Sequence, residues 1–362
     1  MPNLAAYCQT ELAALDAAKL RRQLRGAAEG LVSFADNDYL GLARDARVIA
    51  AGQAALAEYG AGAMASRLVT GNHPLYAPLE AKLAAMKGTQ AALVFGSGYL
   101  ANLGIIPALV GAGDVVFADK LAHACMLDGA QLSGAKLMRF AHNDMAHLQA
   151  LLTKHRGEFK HALIATEHVF SMDGDVAPLA EIAAMARTHD AWTLVDDAHG
   201  LGVVKPEAAE IDVWMGTLSK AAGAYGGYAC AAQAVIDVLV NKARSMVFST
   251  GLPPSVCASA LAALEVMEVE PERGERALAH ARCVTDSLGL PLAQSAIVPI
   301  IMGTPERALE ASEFLRQRGL LVVAIRPPTV PPGTARLRLA FSSTHTGAQV
   351  EQLIAALKDL PA

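Results

Sequence analysis

The sequence predicts an α/β fold with three parts: a large unit built on a mostly parallel sheet, a smaller α+β unit at the C-terminal end, and a helical N-terminal arm. Three observations carry this. Continuous apolar runs alternate with longer helical patterns through the first two thirds of the chain, as in a sheet covered on both faces. Beyond about Glu270 the pattern changes to that of a smaller α+β unit. The opening "MPNLAAYCQTELAALDAAKLRRQLR" reads as an amphipathic helix ahead of any strand. The expected parts are residues 1–39, 40–269 and 270–362, with "EPERGER" as the linker into the last.

"AALVF" is the first strand, "GSG" a turn, and a helix starts at Tyr99. "DVVFAD" is a strand, "KLMRF" follows, and "DMAHLQALLTKH" is helical. "HALIATE", "WTLVDDA", "DVWMGT" and "GGYACAA" read as further strands, with a helix through "LAEIAAMARTHD" after the first of them. A long helix through "SVCASALAALEVMEV" closes the large unit. In the smaller unit, "AIVPIIM", "LLVVAI" and "ARLRLAF" are strands beside a helix around "PERALEASEFLRQRG". Arg336 and Arg338 alternate with leucines and are expected on an exposed strand face.

The chain has 362 residues, 53% of them hydrophobic, enough for a large core plus a smaller unit. A net charge of −5 gives no basic footprint for nucleic acid. The stretch between Lys87 and Asp114 carries no charge, but Gly96, Ser97, Gly98, Asn102 and Pro107 interrupt it, so a buried strand, turn and helix are expected rather than a membrane span. The N-terminus lacks the apolar core of a signal peptide. Five scattered cysteines without a CxxC pair suit a reduced cytoplasm.

Candidate chemistry gathers at expected strand ends, where doubly wound sheets bind ligands. "GTLSKAAGAYGG" holds one lysine, Lys220, among small and hydroxylic residues. Removing an ammonium from water lowers its pKa from about 10.4, and a neutral amine attacks an aldehyde to form a Schiff base. The bland alternative is a lysine snorkelling from a sheet edge. "GSG" opening a helix suits an anion, and equally an ordinary tight turn. "WTLVDDAHG" ends a buried strand with Asp196 and Asp197, one expected to face a site and the other away, unless the Asp is simply a helix cap. No third clustered ligand accompanies Asp196 and His199, so no metal is expected. An acid, an anion cradle with Thr217 beside it, and a lysine together suggest pyridoxal 5′-phosphate. His123 suits stacking on a planar ring, or a satisfied place in the core. The remaining histidines, among them His142, His147, His155, His161, His189 and His280, are expected at the surface. Arg326, stiffened by two following prolines, suits a carboxylate.

These stretches, in order, resemble the α-oxoamine synthases: "NDYLGLA", "FGSGYLAN", "DKLAHA", "FSMDGDVAPLAEI", "VDDAHGLG", "GTLSKAAG", "STGLPP" and "AIRPPTVPPGTARLRL". The resemblance runs from about Leu12 to the end. It implies an aspartate-aminotransferase-like fold of type I and a homodimer with a shared active site. Lys220 would hold the aldehyde of pyridoxal 5′-phosphate, Asp196 would pair with the pyridine nitrogen, and His199 and Ser171 would bond the ring hydroxyl. His123 would stack on the ring. Gly98, Tyr99 and Thr217 would bind the phosphate, joined by Ser249 and Thr250 from the other subunit. Asn37 and Arg326 would bind the amino-acid carboxylate, and Arg21 would lie near the acyl thioester. The implied reaction is a decarboxylative condensation of L-alanine with pimeloyl-CoA or a pimeloyl carrier-protein thioester.

Glycine with acetyl-CoA, or serine with a long acyl chain, are the neighbouring substrate pairs. A non-catalytic partner subunit is the reading from another class, and Lys220, Asp196 and His199 argue against it. Two departures bear on the acyl channel. Tyr76 stands where the family has histidine, with His73 out of register, and the glycine- and arginine-rich loop after Gly202 is shortened.

Overall fold

A computed structural model describes residues 3–24, 26 and 30–361. In chain order its strands are β1 (Val32–Ser33), β2 (Ala91–Phe95), β3 (Val115–Asp119), β4 (Lys136–Phe140), β5 (Ala162–Glu167), β6 (Trp192–Asp196), β7 (Val213–Thr217), β8 (Gly227–Ala231), β9 (Ile297–Gly303), β10 (Leu320–Leu321), β11 (Val323–Ile325) and β12 (Ala335–Ala340). The chain divides into two compact units. One comprises Asn37–Ser171 and Asp175–Ala277; the other comprises the residues up to Asp36, Met172–Gly174 and the residues from Leu278 on.

The large unit holds a seven-stranded sheet in the order β2-β8-β7-β6-β5-β3-β4. Strands β4, β3, β5, β6 and β7 run parallel, and only β8 opposes its neighbours. β2, antiparallel to β8, therefore points the same way as the parallel set. The carboxyl ends of β2, β5, β6 and β7 thus share one edge. Every residue of β3, β5, β7 and β8 is buried, because helices cover both faces. Leu93, Phe95, Val116, Leu163, Leu194 and Met215 build the core under the helix Gly98–Leu109.

That helix begins where the glycine turn was expected. Ser97 caps it, accepting from Leu100 N at 3.2 Å. The uncharged stretch resolves into β2, this turn and this helix, and among the described residues no helix is long and apolar enough to cross a membrane.

The other unit contains the antiparallel sheet β11-β12-β9, covered by the helix Pro305–Arg316, and the short parallel pair β1 and β10. The run "LLVVAI" splits here. Leu320–Leu321 pairs with β1, and Val323–Ile325 pairs with β12. Arg336 and Arg338 are buried, not exposed. β12 is the central strand, so both of its faces are covered. Arg336 is accommodated by Asp173, 2.6 Å from Nη1, and by the carbonyls of Met172 and Thr334. The N-terminal helix Leu4–Ala17 forms, but none of its residues is buried, so its apolar positions cover no core.

Leu194 is fully buried in the middle of the large sheet. Leu194→Ala should cost about 2–5 kcal/mol, read as a lower urea midpoint. An unchanged midpoint would mean that this strand is not central to the folded unit.

Candidate active site

The shared strand edge encloses a cavity of about 250 Å³. Its walls come from the turn after β2 (Ser97, Gly98, Tyr99), from Glu167 ending β5, from Asp196 ending β6, and from Thr217, Ser219 and Lys220 at and beyond the end of β7. His123, Cys125 and His199 complete it. Sequence-predicted residues from four separate stretches therefore meet in one place.

Lys220 Nζ donates to His199 Nε2 at 2.7 Å. His199 Nδ1 lies 2.7 Å from Tyr39 Oη, and Tyr39 donates to Asn37 Oδ1 at 3.0 Å. The single Tyr39 hydrogen fixes the direction of this line. His199 Nδ1–H donates to Tyr39, which leaves Nε2 as the acceptor facing Lys220. Asn37 thus joins the site through Tyr39.

Asp196 and Asp197 point to opposite sides of the sheet. Asp196 faces the cavity, accepting from Asn102 Nδ2 at 3.0 Å and from Ala198 N at 2.9 Å. Asp197 pairs with Lys87 Nζ and lies 2.5 Å from His168 Nδ1. Burial works against the Asp197 charge, but the Lys87 ammonium and the His168 bond outweigh it and lower its pKa.

Glu167 is the register partner of Asp196 on the neighbouring strand, so both carboxyls face the cavity. Burial raises the Glu167 pKa, and the Asp196 charge raises it further. Burial also raises that of Asp196, with Lys220 opposing. The pair carries one charge, and Asp196 holds it, because it has the two N–H donors of Asn102 and Ala198 as well as Lys220 nearby. Glu167 Oε2 accepts from Ser171 N at 3.1 Å, while buried Oε1 makes no hydrogen bond.

The N–H groups of Gly98 and Tyr99, in the first turn of their helix, have no intrahelical acceptor and open toward an anion. The turn is packed closely. A Cβ on Gly98 would lie 3.3 Å from Thr217 Cβ, and one on Gly227 would lie 2.4 Å from the Ser97 backbone. An anion cradle, a carboxylate and a lysine around an enclosed space fit pyridoxal 5′-phosphate, and the orphaned Glu167 oxygen marks a place where a polar ligand belongs.

Two predicted residues of the same unit stand apart from this cavity. Ser249 and Thr250 line a separate, smaller concavity with Arg67 and Tyr76. Tyr76, the departure from the family, is buried there. Its hydroxyl accepts from Leu252 N at 2.6 Å, and the Arg67 guanidinium covers its ring at 3.7 Å. Arg21 and Arg326 belong to the other unit. Arg21 pairs with Asp16 at 2.6 Å, and Arg326 donates to the Lys19 carbonyl.

Sequence reasoning missed Glu167, Asn102, Cys125, Tyr39 and Ser219. For Glu167 a signal existed, since it ends a strand as Asp196 does. It also placed His142 wrongly. His142 is only part-exposed and is held between Asp119 Oδ1 at 3.1 Å and Asp175 Oδ2 at 2.8 Å, with Phe170 edge-on at 4.3 Å. It thereby braces the hairpin that follows Glu167, where Phe170 N donates to Asp175 O at 3.0 Å.

The sequence profile of the class I and II aminotransferases matches residues 29–357. An 8-amino-7-oxononanoate synthase of Methylobacterium nodulans is 59% identical over 372 residues, covering 100% of this chain and 98% of its own. One from Methylorubrum extorquens is 60% identical over 370 residues, covering 99% and 96%. Among solved structures, a serine palmitoyltransferase from S. paucimobilis with bound PLP and myriocin superposes with a TM-score of 0.92 at 31% identity, over 99% of this chain and 98% of that one. The 8-amino-7-oxononanoate synthase of Francisella tularensis gives 0.76 at 28%, over 91% and 97%.

Burial opposes the His142 charge, but the bonds to Asp119 and Asp175 outweigh it and raise its pKa to about 10. A raised native pKa gives stability that is complete below the unfolded value of about 6.5 and is lost as pH rises through about 10. The urea midpoint of the wild type should therefore fall across that window, and His142→Gln should remove this component of the fall. Parallel curves for the two proteins would refute the charged clamp.

Proposed function

The chain belongs to the class I and II aminotransferase family and, within it, to the 8-amino-7-oxononanoate synthases; on that premise we propose that it joins L-alanine to a pimeloyl thioester of CoA or of a carrier protein, with loss of CO2, in biotin synthesis. It is a pyridoxal 5′-phosphate-dependent enzyme of acyl transfer. The observation that carries the proposal is the meeting of Lys220, Asp196 and the open helix start at Gly98 around one cavity.

In this reading Lys220 holds the cofactor's aldehyde carbon, and Asp196 faces its ring nitrogen. His199 and Ser171 serve the ring hydroxyl, and His123 covers the ring face. The N–H groups of Gly98 and Tyr99 and the Thr217 hydroxyl take the phosphate. Ser249 and Thr250, away from this cavity, serve the second subunit of a homodimer. Asn37, Arg21 and Arg326 keep the substrate-binding roles that the resemblance gives them. We place the enzyme in the cytoplasm, as its scattered cysteines suggest.

The bound cofactor supplies an electron sink for the pair left at the amino acid's Cα. The chain's own residues do the rest. Asp196, ionised and buried, would keep a proton on the ring nitrogen by Coulomb attraction in a medium of low dielectric. A neutral Glu167 beside it avoids a second negative charge. Lys220, once freed from the aldehyde carbon and neutral, would be the base for the Cα proton, and its bond to His199 Nε2 orients its nitrogen.

CoA release measured over a panel of amino acids and acyl thioesters tests the substrates. L-Alanine with pimeloyl-CoA or the pimeloyl carrier protein should exceed glycine with acetyl-CoA and serine with palmitoyl-CoA. A higher rate with either rival pair would reassign the enzyme within the oxoamine synthases. Lys220→Ala should lose a factor on the order of 10²–10⁴ in rate. It should also take no pyridoxyl label on borohydride reduction, whereas a labelled Lys220→Ala protein would place the anchor elsewhere.

A further inference from the structure

Cys125 sits in the cavity wall two residues beyond His123, and the mechanism above leaves it without a task. Its sulfur lies 2.9 Å from His123 Nδ1 and accepts from Asn102 Nδ2 at 3.1 Å. The same Asn102 nitrogen donates to Asp196 Oδ2 at 3.0 Å. We propose that Cys125 is a positioning residue: its S–H, donated to His123 Nδ1 and aimed by Asn102 from Asp196, holds His123 as the neutral imidazole with its hydrogen on Nε2.

The assignment follows from counting hydrogens. Asn102 spends one amide N–H on the carboxylate and the other on the sulfur. The flipped amide would turn Oδ1 toward Asp196, oxygen against carboxylate. With the sulfur accepting from Asn102, the thiol hydrogen is directed to the remaining neighbour, His123 Nδ1. The backbone N–H of Cys125 points at the same nitrogen, at 3.3 Å. Nδ1 thus faces two donors and carries no hydrogen of its own, so a neutral ring bears its hydrogen on Nε2. Burial, with the Asp196 charge, pushes the Cys125 thiol up to about 12, so it keeps the proton it must donate. Burial also lowers the His123 pKa, with Asp196 opposing and Lys220 reinforcing. The charged and titratable groups around the ring are Asp196, Glu167, Lys220, Asp128 and Tyr99.

The consequence is a fixed donor edge. With Nδ1 engaged, the ring does not exchange its two nitrogens by rotation, and its Nε2–H is always the hydrogen offered. The line also ties the His123 tautomer to Asp196, whose Oδ2 accepts from the Asn102 amide and so sets its sense.

This inference rests on His123 covering the cofactor ring, and its test is separable from that reading. Protein labelled with 15N-histidine, in apo form and loaded with pyridoxal 5′-phosphate, gives two-bond 1H–15N correlations that report tautomers directly. The His123 signals are assigned by their loss in His123→Phe. Wild type and Cys125→Ser should show an unprotonated Nδ1 and a protonated Nε2. Cys125→Ala, which keeps the backbone N–H to Nδ1 but loses the S–H, should show a titration midpoint raised by about one pH unit, the worth of one lost hydrogen bond. A protonated Nδ1 in the wild type would overturn the proposal, as would Cys125→Ala keeping the wild-type midpoint. Should Cys125→Ala fail to fold, the wild-type and Cys125→Ser spectra decide by themselves. Failure of the cofactor reading shows differently: the tautomer is as stated, but the protein takes up no colour with pyridoxal 5′-phosphate.

Discussion

The site depends on a single negative charge kept out of water at the end of a buried strand. Asp196 ends β6 with its carboxylate in the cavity, between Glu167 of β5 and Met215 of β7. Leaving such a charge unpaired would cost several kcal/mol, on the order of 3–5. The chain meets that cost with two N–H donors, from Asn102 and Ala198, and with the nearby Lys220 ammonium. Other features of the cavity follow from the same charge. Glu167, one strand away, stays protonated because two carboxylates at adjacent strand ends would repel in a low dielectric. Asn102 has one sense of its amide because the carboxylate dictates it.

The sheet topology makes this arrangement available. In a parallel sheet the strands end together, so residues far apart in sequence reach one edge without long loops. β2, β5, β6 and β7 supply Ser97, Glu167, Asp196 and Thr217 in this way. Alternation along β6 then divides the labour of two consecutive acids. Asp196 faces the cavity, and Asp197 is neutralised on the far side by Lys87 and His168. The strand end is thereby fixed from both faces, with a movable charge partner on one and permanent partners on the other.

Much of this was legible in the sequence. Apolar runs such as those in "AALVF" and "DVVFAD" mark strands because a sheet buried on both faces has no polar alternation to hide them. The lone Lys220 and the Asp196–Asp197 pair were legible because ionisable groups in apolar surroundings require a reason. Pairing was not legible. Arg336 and His142 read as surface residues because nothing local shows that Asp173 lies beside the first and Asp119 and Asp175 beside the second. Glu167, Asn102 and Cys125 escaped for the same reason: their roles are contacts between elements, fixed by register rather than by neighbouring residues. The break in "LLVVAI" was also hidden, since two different strands claim its two halves.

The two hydrogen-bond lines that leave the cavity differ in kind. One runs from Lys220 through His199 and Tyr39 to Asn37, and every member is a strong donor or acceptor. Its direction is set at the far end, where the Asn37 oxygen can only accept. The other runs from Asp196 through Asn102 and Cys125 to His123, and its middle member is a thiol, a weak donor. Its direction is set at the near end, by the carboxylate. A lysine that must gain and lose a proton is held by a line anchored outside the charged centre. A histidine that must keep one tautomer is held by a line anchored on the charge itself. Were the anchors exchanged, each change at Lys220 would reorient the ring at His123, and the two halves of the site could not act independently.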